Sequence, residues 1–431
     1  MRTRTIAALL SLLGMGIGQF YNRQWMKGLL LLLVECGCLI ALPAWKKGIR
    51  MLIHLGEQPS RLVDGQFMPG DHSIFMMVQG LLTAFGLLLM ALLYAWNVRD
   101  AFLFGRLRES GVRVPSFRES LKRLGEEGYP FLLMSPAFMI TLLFTMLPIA
   151  FGVLVAFTNY AGPNHLPPRH LVDWVGFQTF KDLLTLGSWS GTFVSVGLWT
   201  IVWAVLATGS TFFFGLFVAV VVQHPAVRFK KLWRTIFIVP YAVPGFVSIL
   251  IMRNLFNGSF GPLNQYLQFF GLPAMEWLSD PMLAKFTVLL VNLWLAFPYF
   301  MFMMTGVMSG ISKDLYEAAE VDGAGRPRQF VSITLPMVLL STAPLLIMNF
   351  AFNFTNFNLI YLLTEGNPVN NALKFAGETD ILLSWIFKLT LEQNQFNLAS
   401  AVSILVFIVI ASFSIVQFRF TRAQKERDLV Q

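Results

Sequence analysis

Asn349, Asn353 and Asn356 recur through the run NFAFNFTNFN, with Phe350, Phe352, Phe354 and Phe357 set between them. Spacing of i, i+4 and i+7 puts the three amides on one face of a helix. Each amide both donates and accepts hydrogen bonds, and each ring offers an apolar plate. A polyol or sugar, with C–H faces and a girdle of hydroxyls, matches that pairing. Amides also bond helix to helix in membrane bundles, and these residues are compatible with that role too. In either role they must not meet hydrocarbon unpaired. Two further polar groups lie in apolar runs: Asn292 with Tyr299 seven residues along the same face of VNLWLAFPYF, and Tyr241 with Gly245 in VPYAVPGF.

A different chemistry is written in YEAAEVDGAGRPRQFVSITLP, residues 316–336, which sets three acids, two arginines, two glycines and two prolines between apolar runs. Ser312 can cap a helix with Asp314 in its first turn, and Gly323 can end it. A second short helix is expected after Arg326 with Pro327 at its first position, and Pro336 would open the following span. Two short helices at an elbow make a docking surface; a merely charged connection is the plain alternative.

The elements that must hold these residues are apolar. The 431 residues are 56% hydrophobic and 13% charged, about half the charged share of a soluble domain. Crossing a hydrocarbon core takes about 20 helical residues. Eight such runs are expected, at about 28–45, 73–96, 131–157, 192–222, 235–256, 286–310, 336–363 and 398–418, giving an all-α, polytopic membrane protein. Pro136, Pro148, Pro240, Pro244, Pro298 and Pro344 fall inside them and can kink them. Residues 5–20 are expected to lie at the interface or re-enter, because no good cleavage site follows them. The organisation expected is an N-terminal region, 1–128, with that segment, two spans and a basic stretch, and a six-span core, 129–431, holding the loop at 311–336.

The net charge of +9 does not imply nucleic acid. With the N-terminus inside, most basic residues, including those of 99–123, 228–234, 326–328 and 419–427, fall on the cytoplasmic side, and both termini are expected there. Lys46, Lys47, Arg50 and Arg61 dissent, since they fall outside. Cys36 and Cys38 point apart on a helix, so neither a disulfide nor a metal pair is favoured.

Glu317, Ala318, Ala319, Gly323, Ile333, Leu335 and Pro336 resemble the EAA signature of the permease subunits of ATP-binding-cassette importers. The resemblance implies a coupling helix seated in a cleft of an ATPase subunit: Glu317 offers a carboxylate, Ala318 and Ala319 allow close approach, and Gly323 permits the bend. No G-x-x-x-x-G-K-[ST] loop occurs, so ATP and Mg²⁺ are expected on partner ATPase subunits and no cofactor on this chain. The stretch from about 233 to 428 also resembles the larger permease subunit of maltose and maltodextrin importers. The positions that match its mid-membrane sugar site are Tyr241, Gly245, Asn292, Leu295, Ala296, Tyr299, Phe352, Asn353 and Asn356. Gly245 stands where the pattern has serine, and Ala296 where it has glycine.

The implied partners are a second, homologous permease subunit, two ATPase subunits, an extracytoplasmic sugar-binding protein and an oligosaccharide. The connection at about 158–190 is short, whereas Gram-negative members carry an extra domain there. This implies a Gram-positive cytoplasmic membrane and a lipoprotein-type binding protein. Two other classes remain. An ion-coupled transporter would use Glu35, an acid inside a span; uptake surviving on ion gradients alone would reveal it. An intramembrane enzyme would need a nucleophile–base pair or metal site, and the five histidines fall in or beside connections, with His165 and His170 close enough in sequence to chelate.

Overall fold

A computed structural model describes residues 2–63, 66–68, 70–126, 128–166 and 170–428. The chain forms two compact units, 1–176 and 177–431. Pro167, Pro168 and Arg169 of the 158–190 connection lie outside the described residues.

The first unit begins with α1 (Thr3–Leu13) and the single-turn α2 (Ile17–Tyr21), joined by a turn at Gly14–Gly16. Helix α3 (Trp25–Ile40) follows and meets α4 (Leu42–His54) at a bend of 54°. The expected span 28–45 is therefore bent near Ala41, just ahead of Pro43. A two-stranded ribbon, β1 (Arg61–Val63) and β2 (Gln66–Met68), is an addition to the all-α expectation. Helix α5 (Ser73–Glu109) is the unit's long rod, followed by α6 (Phe117–Glu126) and α7 (Tyr129–Val155).

Helices α1 and α2 are fastened to α5 by buried polar bonds. Asn97 accepts from the Gly16 amide and donates to the Ser11 carbonyl. Gln19 donates to the Asn97 carbonyl and to Asp100, and Lys27 donates to the other Asp100 oxygen at 2.6 Å. Glu35, the acid inside the first span, accepts from the Met15 amide at 2.8 Å. Residues 5–20 thus form a folded-back cap whose backbone donors are met by side chains, as a low-dielectric setting requires.

The second unit runs through α8 (Gln178–Thr185), α9 (Gly187–Gln223), α10 (Lys230–Ala242), α11 (Gly245–Leu255) and α12 (Pro262–Phe269). It continues with α13 (Pro281–Ser309), α14 (Lys313–Val321), α15 (Arg326–Phe354), α16 (Phe357–Thr364), α17 (Leu382–Phe387) and α18 (Phe396–Asp428). Helices α9 and α13 form the central pair. A Cβ on Gly215 would lie 2.6 Å from the Phe300 Cβ, so only glycine lets these backbones approach. Buried Thr200, Thr211 and Thr342 return their hydroxyls to carbonyls one turn back, which removes a polar cost inside an apolar bundle. Trp203 and Trp385 are fully buried in the two clusters beside the pair.

Two further spans and the short helix after Arg326 differ in detail. The run 235–256 is two helices, α10 and α11, meeting at 91°. Pro244 lacks an amide donor and biases Val243 to extended backbone, where it sits at φ −85°, ψ 136°. The run 336–363 breaks at Thr355, so Asn356 stands at the N-terminus of α16 and not on the face carrying Asn349 and Asn353. The expected short helix after Arg326 merges with the span, and Pro336 lies inside α15. A wide π-turn at Phe330–Thr334 just ahead of Pro336 relieves the clash of its ring with the preceding turn. The same device, Leu142–Met146, precedes Pro148 in α7.

The connection between α16 and α17 is tied by ion pairs. The Asp380 carboxylate, 1% exposed, accepts from the Gly377 amide, the Ser384 hydroxyl and Lys388 Nζ at 2.6–2.7 Å. Glu378 is paired with Lys285 at 2.5 Å and accepts from Asn370. The hydrogen bond from Lys285 holds the Glu378 carboxyl below the usual carboxylate range, against the opposing effect of burial.

Candidate functional site

The break between α10 and α11 opens a cavity of about 420 Å³ within the second unit. Its size falls in the range of small-ligand sites, roughly 300–1,000 Å³. Tyr241 comes from the end of α10 and Gly245 from the first residue of α11; a helix running straight through would close this space. Asn292, Leu295, Ala296 and Tyr299 come from one face of α13, and Phe352 and Asn356 from either side of the Thr355 break. Eight of the nine residues expected from sequence therefore line one cavity. Nothing lies within 4 Å of a Cβ built on Gly245, so that wall is open.

Asn353 is the ninth, and it faces away. It is 2% exposed and does not line the cavity. Its amide donates to Thr208 Oγ1 at 3.0 Å and to Asn349 Oδ1 at 2.9 Å, and its carbonyl accepts from the Trp203 indole at 2.8 Å. Asn349 stands in its place on the wall. Phe246, Ile249, Asn358 and Leu359 complete the lining and were not singled out from sequence. Phe246 directly follows Gly245 at the break, and Asn358 belongs to the same NFN run, so adjacency was the available signal.

The wall has a consistent polarity. Asn349 has its oxygen occupied by Asn353, and Asn356 has its oxygen accepting from the Leu359 amide at 3.4 Å. Both are left with NH₂ groups to offer. Asn292 is 4% exposed and its Nδ2 has no partner within the protein. A buried donor left unmet costs about 1–3 kcal/mol, and it faces a cavity in which an acceptor oxygen would meet it. No charged side chain lines the space, and Tyr241, Phe246, Tyr299 and Phe352 supply aromatic surface. The arrangement suits a neutral, oxygen-rich ligand with apolar faces.

A larger recess, about 670 Å³, lies in the connection between α16 and α17 beside Lys374, Lys388 and Glu392. It contains none of the expected residues, and its charged rim distinguishes it from the cavity between the spans.

The elbow takes the expected form at α14. Ser312 accepts from the Asp314 amide at 3.3 Å, and Gly323 ends the helix with a left-handed φ of +77°. Glu317, Ala318 and Gly323 are exposed and Ala319 is half-buried. Val321, 89% exposed, gives the same helix an apolar tip. The Tyr316 hydroxyl pairs with Thr334 Oγ1 at 2.8 Å, which ties α14 to the foot of α15. Arg326 pairs with His224 at 3.1 Å, tying the elbow to the end of α9.

Among the described residues no group of three or more histidines, cysteines or acids is placed to hold a metal ion. Cys36 and Cys38 are free thiols.

Residues 211–426 match the family described as the binding-protein-dependent transport system inner membrane component. The galactooligosaccharides transport system permease protein GanP of Bacillus subtilis (strain 168) is 41% identical over 99% of this chain and 100% of its own length. The maltodextrin transport system permease protein MdxF of the same organism is 37% identical over 97% of this chain and 95% of its own. A solved bacterial ABC transporter involved in import of the acidic polysaccharide alginate has a TM-score of 0.58 over 70% of this chain and 98% of its own. At 21% identity, that likeness is one of fold.

Proposed function

The chain belongs to the inner membrane components of binding-protein-dependent transport systems, as a sugar permease of the ABC importer class, and on that premise we propose that its cargo is a neutral oligosaccharide of the maltodextrin type. The observation that carries this reading is the unpartnered Asn292 Nδ2 at a cavity whose other amides also present donors among aromatic rings. Sugar hydroxyls and ring oxygens accept from those donors, while C–H faces lie on the rings. A carboxylated sugar would enter without a cation to meet it, at a cost of several kcal/mol. A galacto-oligosaccharide cargo is the second reading, favoured by the 41% identical relative and by Gly245 and Ala296, which depart from the maltose-type pattern.

In this reading the chain has both termini in the cytoplasm of a bacterium, with a second permease subunit completing the pathway. An extracytoplasmic binding protein, a lipoprotein in a Gram-positive membrane, delivers sugar to the outer mouth. Two ATPase subunits, holding ATP and Mg²⁺, close on the α14 elbow. Glu317, Ala318 and Ala319 form the contact, and Gly323 sets its angle. The motion passes through Tyr316 and Thr334 to α15, whose far end carries Asn349 and Phe352, so the cavity opens alternately to each side. This chain performs no hydrolysis itself.

The test is binding-protein-dependent uptake of labelled gluco-, galacto- and carboxylated oligosaccharides by the reconstituted complex. Asn292→Leu and Asn356→Leu are each expected to reduce uptake about 10- to 100-fold, from one or two lost hydrogen bonds. Assembly and the complex's basal ATPase activity are expected to persist. Uptake at the unsubstituted rate in both variants would remove the cavity from the pathway, and efficient transport of a carboxylated sugar would overturn the neutral class.

A further inference from the structure

The proposed transport cycle assigns no role to α4, which carries three of the dissenting cations, Lys46, Lys47 and Arg50. Lys46, Arg50 and His54 recur at i, i+4 and i+8 and share one face. Their side chains are exposed, and none has an ion-pair or hydrogen-bond partner among the described residues. All three line a groove of about 510 Å³. The remainder of the groove is apolar: Leu42, Ile49 and Ile53 from the same helix, Leu87 from α5, and Trp45 beside them.

Neither bulk phase satisfies such a surface alone. Water meets the cations and leaves the trough exposed; hydrocarbon does the reverse. The position of α4 supplies the missing condition. Helix α3 has 16 residues, about 24 Å of rise, which carries the chain across most of a core of roughly 30 Å. The 54° bend then turns α4 away from the axis of α3. A basic amphipathic helix at a membrane boundary is suited to lipid headgroups, and Trp45 is the residue type that prefers that boundary.

We infer that this groove binds an anionic phospholipid of the outer leaflet, its phosphate held by Lys46, Arg50 and His54 and an acyl chain lying along Leu42, Ile49, Ile53 and Leu87. A free phosphate would meet the cations but leave the trough empty. A zwitterionic lipid would bring its own ammonium group against the same cations. The site also accounts for basic residues on the outer side: they are matched by lipid charge instead of by protein.

The experiment uses the full complex, purified in detergent and titrated with phosphatidylglycerol, with retained lipid counted by native mass spectrometry. Each basic residue near a charged headgroup contributes roughly a fivefold change in affinity. Arg50→Gln is therefore expected to weaken retention about fivefold and Lys46→Gln/Arg50→Gln about 25-fold, while Arg50→Lys restores most of it. Lys47→Gln removes the same charge from a neighbouring residue outside the groove and is expected to leave retention unchanged. Leu87→Asn, which keeps every cation, is expected to weaken retention through the trough. Equal retention in Arg50→Gln, or an equal loss in Lys47→Gln, would overturn the site. Equal binding of phosphatidylcholine would refute the anionic class, and displacement by inorganic phosphate at lipid-equivalent concentration would show an ion site instead. Each variant is compared at matched complex yield and thermal midpoint, and none touches the sugar cavity, so failure here leaves the transport reading standing.

Discussion

Asn353 lies behind the cavity wall and does not line the cavity itself. It fixes Asn349 by occupying its oxygen, and Thr208 and the Trp203 indole fix Asn353 in turn. Asn353→Leu is expected to lower uptake about tenfold, because Asn349 loses its orientation and Thr208 its partner. Asn353→Asp is expected to lower uptake at least as far, since a carboxylate cannot donate to Asn349 Oδ1, and an Asn349 amide turned to donate to it would present its oxygen to the cavity. A KM increase with little change in maximal rate would match a positioning role; equal, full activity of Asn353→Leu would refute it. Gly245→Ser is expected to fold normally, since its Cβ meets nothing within 4 Å, and to shift preference within the sugar panel by adding a donor and acceptor to the wall. Spacing in NFAFNFTNFN was enough to bring these amides into view. Which of two residues a turn apart faces inward was not legible, because that depends on Thr208, 145 residues away in the chain. The change of direction at Thr355 was hidden for a similar reason: no glycine or proline marks it.

Elements divide into those whose ends are chemically marked and those decided by partners. The α14 elbow belongs to the first kind, with Ser312, Gly323 and Pro327 each where a cap, a left-handed residue and a first-turn proline belong. Gly323→Val has room for its side chain but must hold a β-branched residue at φ +77°, a cost of at least about 1–2 kcal/mol. The expected outcome is a displaced elbow: ATPase subunits retained poorly on purification, or hydrolysis without uptake. Normal retention and coupled turnover would contradict it. The π-turns before Pro148 and Pro336 belong to the second kind, because proline announces strain without saying whether the chain will break, as at Pro244, or widen. In the connection between α16 and α17, Glu378 has a lowered pKa, so its contribution to stability is full above the ordinary carboxylate value and is lost only as pH falls through the lower, folded one. Glu378→Gln is expected to remove that contribution at neutral pH and flatten its acid dependence, read as protease cleavage between residues 365 and 381 across a pH series.

At the scale of the whole chain, each of the two units carries its own polar tie. Lys27 and Asp100 are 14% and 9% exposed, and Gln19 shares the carboxylate. Asp100→Ala leaves a nearly buried ammonium without its partner and is expected to destabilise residues 1–176 by about 3–5 kcal/mol, detected as a lower thermal midpoint and earlier proteolysis in that region. The number of apolar runs and the helical class were readable from hydropathy. Their bends and the folded-back cap at 5–20 were not, since Glu35, Asn97 and Asp100 look like misplaced polar residues until the backbone donors they satisfy are known. Helix α15 holds the elbow by Thr334 at one end and Asn349 fifteen residues later, about 22 Å along the same rod. Heredity should treat the two ends as a single trait: revertants of a cargo-recognition defect at Asn349 are expected to map to Tyr316 or Thr334, far from any sugar, more often than to the opposite wall of the cavity.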